Sequence, residues 1–243
     1  MTKLLLTVLV FFCFQIVTSQ AKTEQKDINK YEGFFDYIYD QKEDRIFLYV
    51  KELEEEFLYV HALSQGIGSN DIGVDRGQLG DGVVVKFTRA GNKLLLVQPN
   101  QWFRAITENE QEKKSIQEAF AKSVLYGFKI EEENSGIFVI DITDFIIRDA
   151  HGVGTTLKNQ DQGVYNLDRS RSGFHMERTK AFPRNVEFDA LLTFTGESKG
   201  SQIRSVVPNA SAVTVFQHHS FVALPDDNYV PRVYDIRCGG YPL

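Results

Sequence analysis

Short runs of aromatic and β-branched residues recur along this sequence, each closed by a polar turn. Phe34–Tyr39, Arg45–Val50 and Phe57–Leu63 come first. Val83–Arg89 and Lys93–Gln98 come next and face one another across Ala90-Gly91-Asn92, the pattern of a hairpin. Phe128–Ile130 and Ile137–Ile142 read as a second hairpin. In Val186–Thr195 the residues Val186, Phe188, Ala190, Leu192 and Phe194 share one parity, and Ala210–Leu224 is a further extended segment. Such runs are strand-sized and end in turn chemistry, so they specify β-structure rather than helix. The 19 Phe and 10 Tyr, set against 2 Met and 1 Trp, suit the interior of a sheet protein.

One segment departs from this period. Thr107 and Glu110 have the spacing of a capping box, Ile116, Ala119, Phe120, Ser123 and Val124 fall on one helical face, and Gly127 suits the position just past a helix end. Thr143–Asp149 reads as a short helix or a strand, with Asp144 and Arg148 at i,i+4 favouring helix. Residues 64–82 carry six glycines and read as a long irregular loop. The expected fold class is therefore α+β, mainly β: antiparallel sheets in a sandwich-like arrangement, with one firm helix near residues 108–126.

The N-terminus has a separate logic. Lys3 precedes an apolar run from Leu4 to Val17, and Val17 with Ser19, or Ser19 with Ala21, offers small residues for signal peptidase. Residues 1–19 read as a secretory signal peptide, residues 20–30 as a flexible leader, and residues 31–243 as a single domain. The run is short for a bilayer span of about 20 residues, and no later stretch is long enough. Cleavage would remove Cys13 and leave Cys238 alone, so no internal disulfide is expected and Cys238 reads as a shielded structural thiol. The net charge of −6 lacks the cations that nucleic-acid binding needs.

The side chains that carry chemistry are dispersed. The histidines are His61, His151, His175, His218 and His219, and no pair has the i,i+4 spacing of H-E-x-x-H. His218 and His219 are adjacent, so a strand would send them to opposite faces, one buried and one solvated. His175-Met176-Glu177 has the H-x-E of zinc deaminases without the P-C-x-x-C that completes it. His151-Gly152-Val153-Gly154 reads as an oxyanion-hole loop or, more simply, as a glycine turn after a short helix. Asp71, Asp75 and Asp81 do not have the spacing of an EF-hand, and Asp75-Arg76-Gly77 reads as a salt-bridged turn. Trp102 is expected to pack in the core or anchor a loop. No catalytic, cofactor-binding or metal-ligating residue is assigned.

Several ordered strings nevertheless share one resemblance. They include Phe57-Leu58-Tyr59-Val60, the run from Gly66 to Gly73, Asp75-Arg76-Gly77-Gln78, Phe103-Arg104-Ala105 and Ser115–Val124. Asp141–Phe145 leads into Arg148-Asp149-Ala150-His151-Gly152. Phe182-Pro183-Arg184-Asn185, His219-Ser220, Leu224-Pro225-Asp226, Pro231-Arg232 and Asp235-Ile236-Arg237 complete the series. From about residue 31 to the end, the chain resembles the domain of uncharacterised function that lies N-terminal to the catalytic domain in large secreted bacterial zinc-dependent metalloproteases. The resemblance implies a secreted or periplasmic location and a C-terminal metallopeptidase domain as partner. It also implies that zinc belongs to that domain, whose H-E-x-x-H region this chain lacks. The chain stops at Gly239-Gly240-Tyr241-Pro242-Leu243, with two glycines where the family has one, and reads as truncated there. The expected function is that of a noncatalytic accessory domain that packs on the catalytic domain, leaving an exposed apolar patch when alone. The alternatives are a free-standing peptide- or glycan-binding module using Trp102, Phe103 and Tyr165, and a hydrolase built on His151, His175 or His218 with acidic groups.

Overall fold

The structure, a computed structural model, describes residues 28–103, 105–226, 228 and 230. The signal peptide, most of the leader, Arg104, Pro231-Arg232, Asp235-Ile236-Arg237 and Cys238 lie outside the described residues. In chain order the strands are β1 (Ile28–Tyr31), β2 (Asp36–Asp40), β3 (Arg45–Val50), β4 (Glu56–Gln65), β5 (Val83–Ala90), β6 (Lys93–Gln98), β7 (Ser123–Asn134) and β8 (Ile137–Asp141), then β9 (Gly163–Leu167), β10 (Gly173–Phe174), β11 (Lys180–Phe182), β12 (Asn185–Ser198) and β13 (Ala212–Ala223). Helix α1 (Glu110–Ala119) lies between β6 and β7; α2 (Thr143–Ile146), α3 (Val153–Asn159) and α4 (Ser201–Val206) are short.

These strands pair antiparallel in the order β1-β2-β3-β8-β7-β6-β5-β4-β13-β12-β10, with β9 and β11 also on β12. The sheet folds over on itself. The Phe34 N–H donates to the Phe182 carbonyl at 2.7 Å, and the Tyr37 ring meets Phe188 edge-on at 5.3 Å, so the β1–β2 end closes against β11 and β12. Gly33 permits this approach, because a Cβ there would lie 2.7 Å from the Phe182 oxygen. The enclosed core is one continuous cluster rich in Phe57, Phe87, Phe128, Phe145, Phe188 and Phe221. The sandwich-like, mainly β expectation therefore stands.

Period-2 alternation delivers the expected residues inward. β3 buries Ile46, Leu48 and Val50, and β12 buries Val186, Phe188, Ala190, Leu192 and Phe194. The β5–β6 hairpin turns where expected, with Ala90 opposite Lys93 and Gly91 at φ +62°. The glycine-rich loop is ordered by β4. Gly68, Gly73 and Gly77 have positive φ, and the loop returns beside the second half of β4 through Gly77 N–H to the Leu63 carbonyl, Leu63 N–H to Gln78 and Gly80 N–H to His61. Backbone bonds hold the Asp75-Arg76-Gly77 turn. Arg76 is exposed and has no ion pair among the described residues, which corrects the salt-bridge expectation.

Three other expectations are revised. Residues 28–30 of the leader form strand β1, because Tyr31 stacks on Tyr37 at 4.6 Å and fixes the register Ile28–Asp40. Helix α1 spans 110–119, capped by Asn109, whose side chain accepts from the Gln111 N–H. Ser123 and Val124 belong instead to β7, where they pair with Gln98 and Val97, and Gly127 lies inside the same strand opposite Leu95. Asp144 pairs with Arg169 instead of Arg148.

Candidate functional site

Strands β4 and β13 run side by side with His61 opposite His219. Alternation sends Tyr59, His61, Gln217 and His219 to the core face, and His218 and Ser220 to the other face. His218 and His219 thus diverge as expected, with His219 fully buried and His218 partly exposed.

Gln217 organises the core-face cluster. Its Oε1 accepts from the backbone N–H of Ala150 at 3.0 Å and of His151 at 2.9 Å, which fixes the amide orientation. Its Nε2 donates to the Arg148 carbonyl at 2.9 Å and faces His219 Nε2 at 2.8 Å. An amide nitrogen can only donate, so toward Gln217 the His219 Nε2 acts as acceptor, whereas the Ile146 carbonyl, 3.2 Å from the same Nε2, can only accept from it; the two contacts call for opposite tautomers of the ring. Tyr59 Oη lies 2.9 Å from the other ring nitrogen, Nδ1. Burial, with Arg148 nearby, pushes His219 down to about 3, so the ring is neutral.

His61 and His151 meet in front of this layer. Their Nδ1 atoms lie 3.4 Å apart, and His151 Nε2 lies 3.4 Å from Gln78 Oε1. Burial lowers both pKa values, and for His61 the neighbouring His151 and Arg148 add to the effect. Gly80 seats the His61 ring, since a Cβ there would lie 2.0 Å from His61 Cε1. Arg148 completes the cluster. Its Nε donates to the Phe145 carbonyl at 3.0 Å, and its guanidinium lies over the Phe145 ring at 4.4 Å. Tyr59, His61, Arg148 and Asp81 line a cleft of about 200 Å³ whose apolar walls are Val83, Leu125 and Ala150.

The adjacent Asp149 is otherwise engaged. Its two oxygens accept from the N–H groups of Val153 at 2.7 Å and Gly154 at 2.9 Å, and Gly152, at φ +76°, makes the turn. Those amides are therefore not free to form an oxyanion hole, and the His151-Gly152 segment is a glycine turn that opens α3.

On the opposite face Asp189, fully buried, accepts from Ser64 Oγ at 2.8 Å and faces His175 Nδ1 at 3.0 Å and His218 Nδ1 at 2.9 Å. His218 Nε2 faces Glu187 at 2.7 Å. Burial disfavours the His218 charge, but Asp189 and Glu187 outweigh it and lift the pKa to about 9. Burial likewise opposes the Asp189 and Glu187 charges, and their hydrogen bonds outweigh it and hold both below the usual carboxylate range. His175 is thus tied to Asp189, with Glu177 3.7 Å away. Asp71 accepts from Gln202, and Asp81 lines the cleft. Among the described residues no group of three or more His, Cys, Asp or Glu is arranged to hold a metal ion.

The aromatic residues separate. Trp102 is 91% exposed, which corrects its expected packing, while Phe103 is half-exposed and stacks on Phe120 at 3.8 Å. Tyr165 is buried and donates to the Ala210 carbonyl, so it takes no part in a shared platform. Trp102 borders a second cleft of about 350 Å³ that shares Val83 and Gln98 with the first.

Spacing gives no sign of the Tyr59–Gln78–Arg148–Gln217 grouping. The only trace is that Tyr59, Gln78, Arg148, His151 and His219 lie in strings that carry the family resemblance.

A family model described as a domain of unknown function, DUF5117, matches residues 77–241. No curated protein and no solved structure matches the chain.

Proposed function

Because the chain belongs to the DUF5117 family of domains of unknown function, we propose its role from the resemblance of its ordered strings and from its surface: a noncatalytic N-terminal accessory domain of a secreted zinc-dependent metallopeptidase. It would pack against a C-terminal catalytic domain that holds the zinc. The observation that carries this reading is the arm between β6 and β7, together with the first residues of β7. Helix α1 has no buried residue, Ile106 and Trp102 are almost fully exposed, and Phe103 and Val124 are each about half exposed (51% and 52%). A ten-residue helix is marginal in water by itself, since isolated helices need about 12–15 residues. An apolar arm that the rest of its own chain leaves uncovered is the surface a neighbouring domain would cover.

The test is to read the coding frame beyond Leu243 and to express this chain joined to the segment encoded there. A frame encoding H-E-x-x-H, together with slowed hydrogen exchange over 99–122 in the joined protein, supports the proposal. Stoichiometric zinc and peptidase activity in the present chain alone would overturn it.

A second reading, a free-standing secreted module for peptide or glycan, is favoured by Trp102 at the rim of the larger cleft. Quenching or a blue shift of its fluorescence by oligosaccharide or unrelated peptides, in the absence of any catalytic domain, distinguishes the two.

A further inference from the structure

We propose that the cleft at Arg148 binds a carboxylate carried by a short peptide-like chain. The inference rests on the geometry of this chain and is independent of the peptidase reading.

Arg45, Arg89, Arg169 and Arg171 each pair with a carboxylate, on Asp141, Glu133, Asp144 and Asp168. Arg148 is half-buried, yet no carboxylate of the described residues lies within 4.0 Å of its guanidinium. Its two sequence neighbours of opposite charge are committed elsewhere, Asp144 to Arg169 and Asp149 to the first amides of α3. A cation drawn partly out of water without a counter-charge retains a desolvation cost that an anion in the cleft would relieve. The side chain is also preoriented. Its Nε is held by the Phe145 carbonyl and its plane by the Phe145 ring, which turns the terminal nitrogens toward the Tyr59 hydroxyl as a fork.

The surroundings narrow the ligand class. The Tyr59 hydroxyl, His61 and Gln98 add polar edges to the same cleft. One cation faces the cleft and Asp81 lines it, so a monoanion fits better than a dianionic phosphate. Val83, Leu125 and Ala150 supply an apolar wall for the carbon next to the carboxylate, and about 200 Å³ leaves room for a group of residue size. The carboxylate could be a peptide C-terminus or an Asp or Glu side chain, and two different acid probes separate these sources.

The full chain is titrated calorimetrically with N-acetyl-glycyl-leucine as the free acid, with the same peptide as its amide, and with N-acetyl-glutamate α-methylamide. His61 and His151 imidazole nitrogens are followed by NMR. At least one acid should saturate and shift the His61 signal, and the amide should bind at least tenfold more weakly. Arg148→Gln should lose tenfold or more, and Arg148→Lys should fall between. Tighter binding of the free C-terminus identifies that source, and tighter binding of the glutamate probe identifies a side chain. Equal binding of acid and amide, no saturable binding of either acid, stronger binding of sulfate than of both acids, or unchanged affinity in Arg148→Gln overturns the proposal. If Arg148→Gln does not fold, the acid–amide comparison on the unaltered chain decides.

Discussion

Gln217 Oε1 lies 2.9 Å from the backbone nitrogen of His151, which is 66 positions earlier in the chain. This one amide joins β13 to the segment that carries both Arg148 and His151. Through its nitrogen it also holds the Arg148 carbonyl and the His219 ring. The position of the cleft cation relative to Tyr59 and His61 therefore depends on a buried neutral side chain that touches none of the cleft's contents.

Gln217→Leu preserves bulk and removes all four hydrogen bonds. Two backbone N–H groups and the Arg148 carbonyl then lose this partner, while His219 Nε2 keeps the Ile146 carbonyl at 3.2 Å. Unsatisfied buried groups cost about 1–3 kcal/mol each before relaxation, and water entry at the half-buried end offsets part of this. The expected loss is about 3 kcal/mol, read from the urea midpoint with an unchanged slope. A loss below about 0.5 kcal/mol would show that the amide is not an organising element.

Stability should be greatest near neutral pH and fall on both sides. His218 is raised in the fold to about 9, so its contribution is complete below the unfolded value near 6.5 and disappears as pH rises through 9. Asp189 and Glu187 are lowered, so theirs is present above the unfolded carboxylate values and is lost as pH falls. His219 is lowered to about 3, so the unfolded chain takes up a proton that the fold refuses, and stability declines from about pH 6.5 toward 3. His218→Gln should flatten the alkaline limb between about pH 7 and 10, by on the order of 2 kcal/mol, in denaturant titrations.

Much of this fold is legible in the sequence, and the reason is local. β3 and β6 match their apolar runs residue for residue because alternation against a core fixes both register and length. The end of α1 is not legible. Ser123 and Val124 continue the helical face by spacing, but pairing with Gln98 and Val97 draws them into β7, and tertiary pairing overrides propensity there. The divergence of His218 and His219 follows from strand period alone. The cleft could not be read in the same way, because its lining comes from β4, the glycine loop, β5, β6, β7 and the turn before α3, which meet only in the folded sheet. Even the Asp144–Arg148 spacing misleads, since Arg169 arrives from a distant segment and takes the carboxylate.

The exposed arm should contribute to association rather than to stability. Trp102→Ser with Ile106→Ser alters two side chains that are almost fully exposed, so the unfolding free energy should change by less than about 0.5 kcal/mol. Sedimentation velocity of the unaltered chain should show concentration-dependent self-association that the double variant reduces. A monodisperse unaltered monomer at high concentration would remove the arm as an association surface.

Gly80 provides the most local test of how the glycine loop serves the site. Its φ is not in the left-handed region, so alanine is allowed by the backbone and the obstacle is purely steric. The new methyl would lie 2.0 Å from His61 Cε1 and 2.4 Å from Nδ1, and one of the two must move. The Gly80 N–H is held by the His61 carbonyl at 2.8 Å, so the backbone resists and the imidazole is the part that yields. Displacing it breaks the Nδ1 approach to His151. Overpacking of this kind costs about 1–3 kcal/mol, and Gly80→Ala should lose that much while shifting the His151 imidazole signals. His61→Ala removes the obstructing ring, so adding Gly80→Ala in that background should cost little. The double-mutant cycle should then give a coupling of about 1 kcal/mol or more, of the order found for residues in direct contact. Additive effects would mean that the loop's glycine is required by something other than the His61 ring.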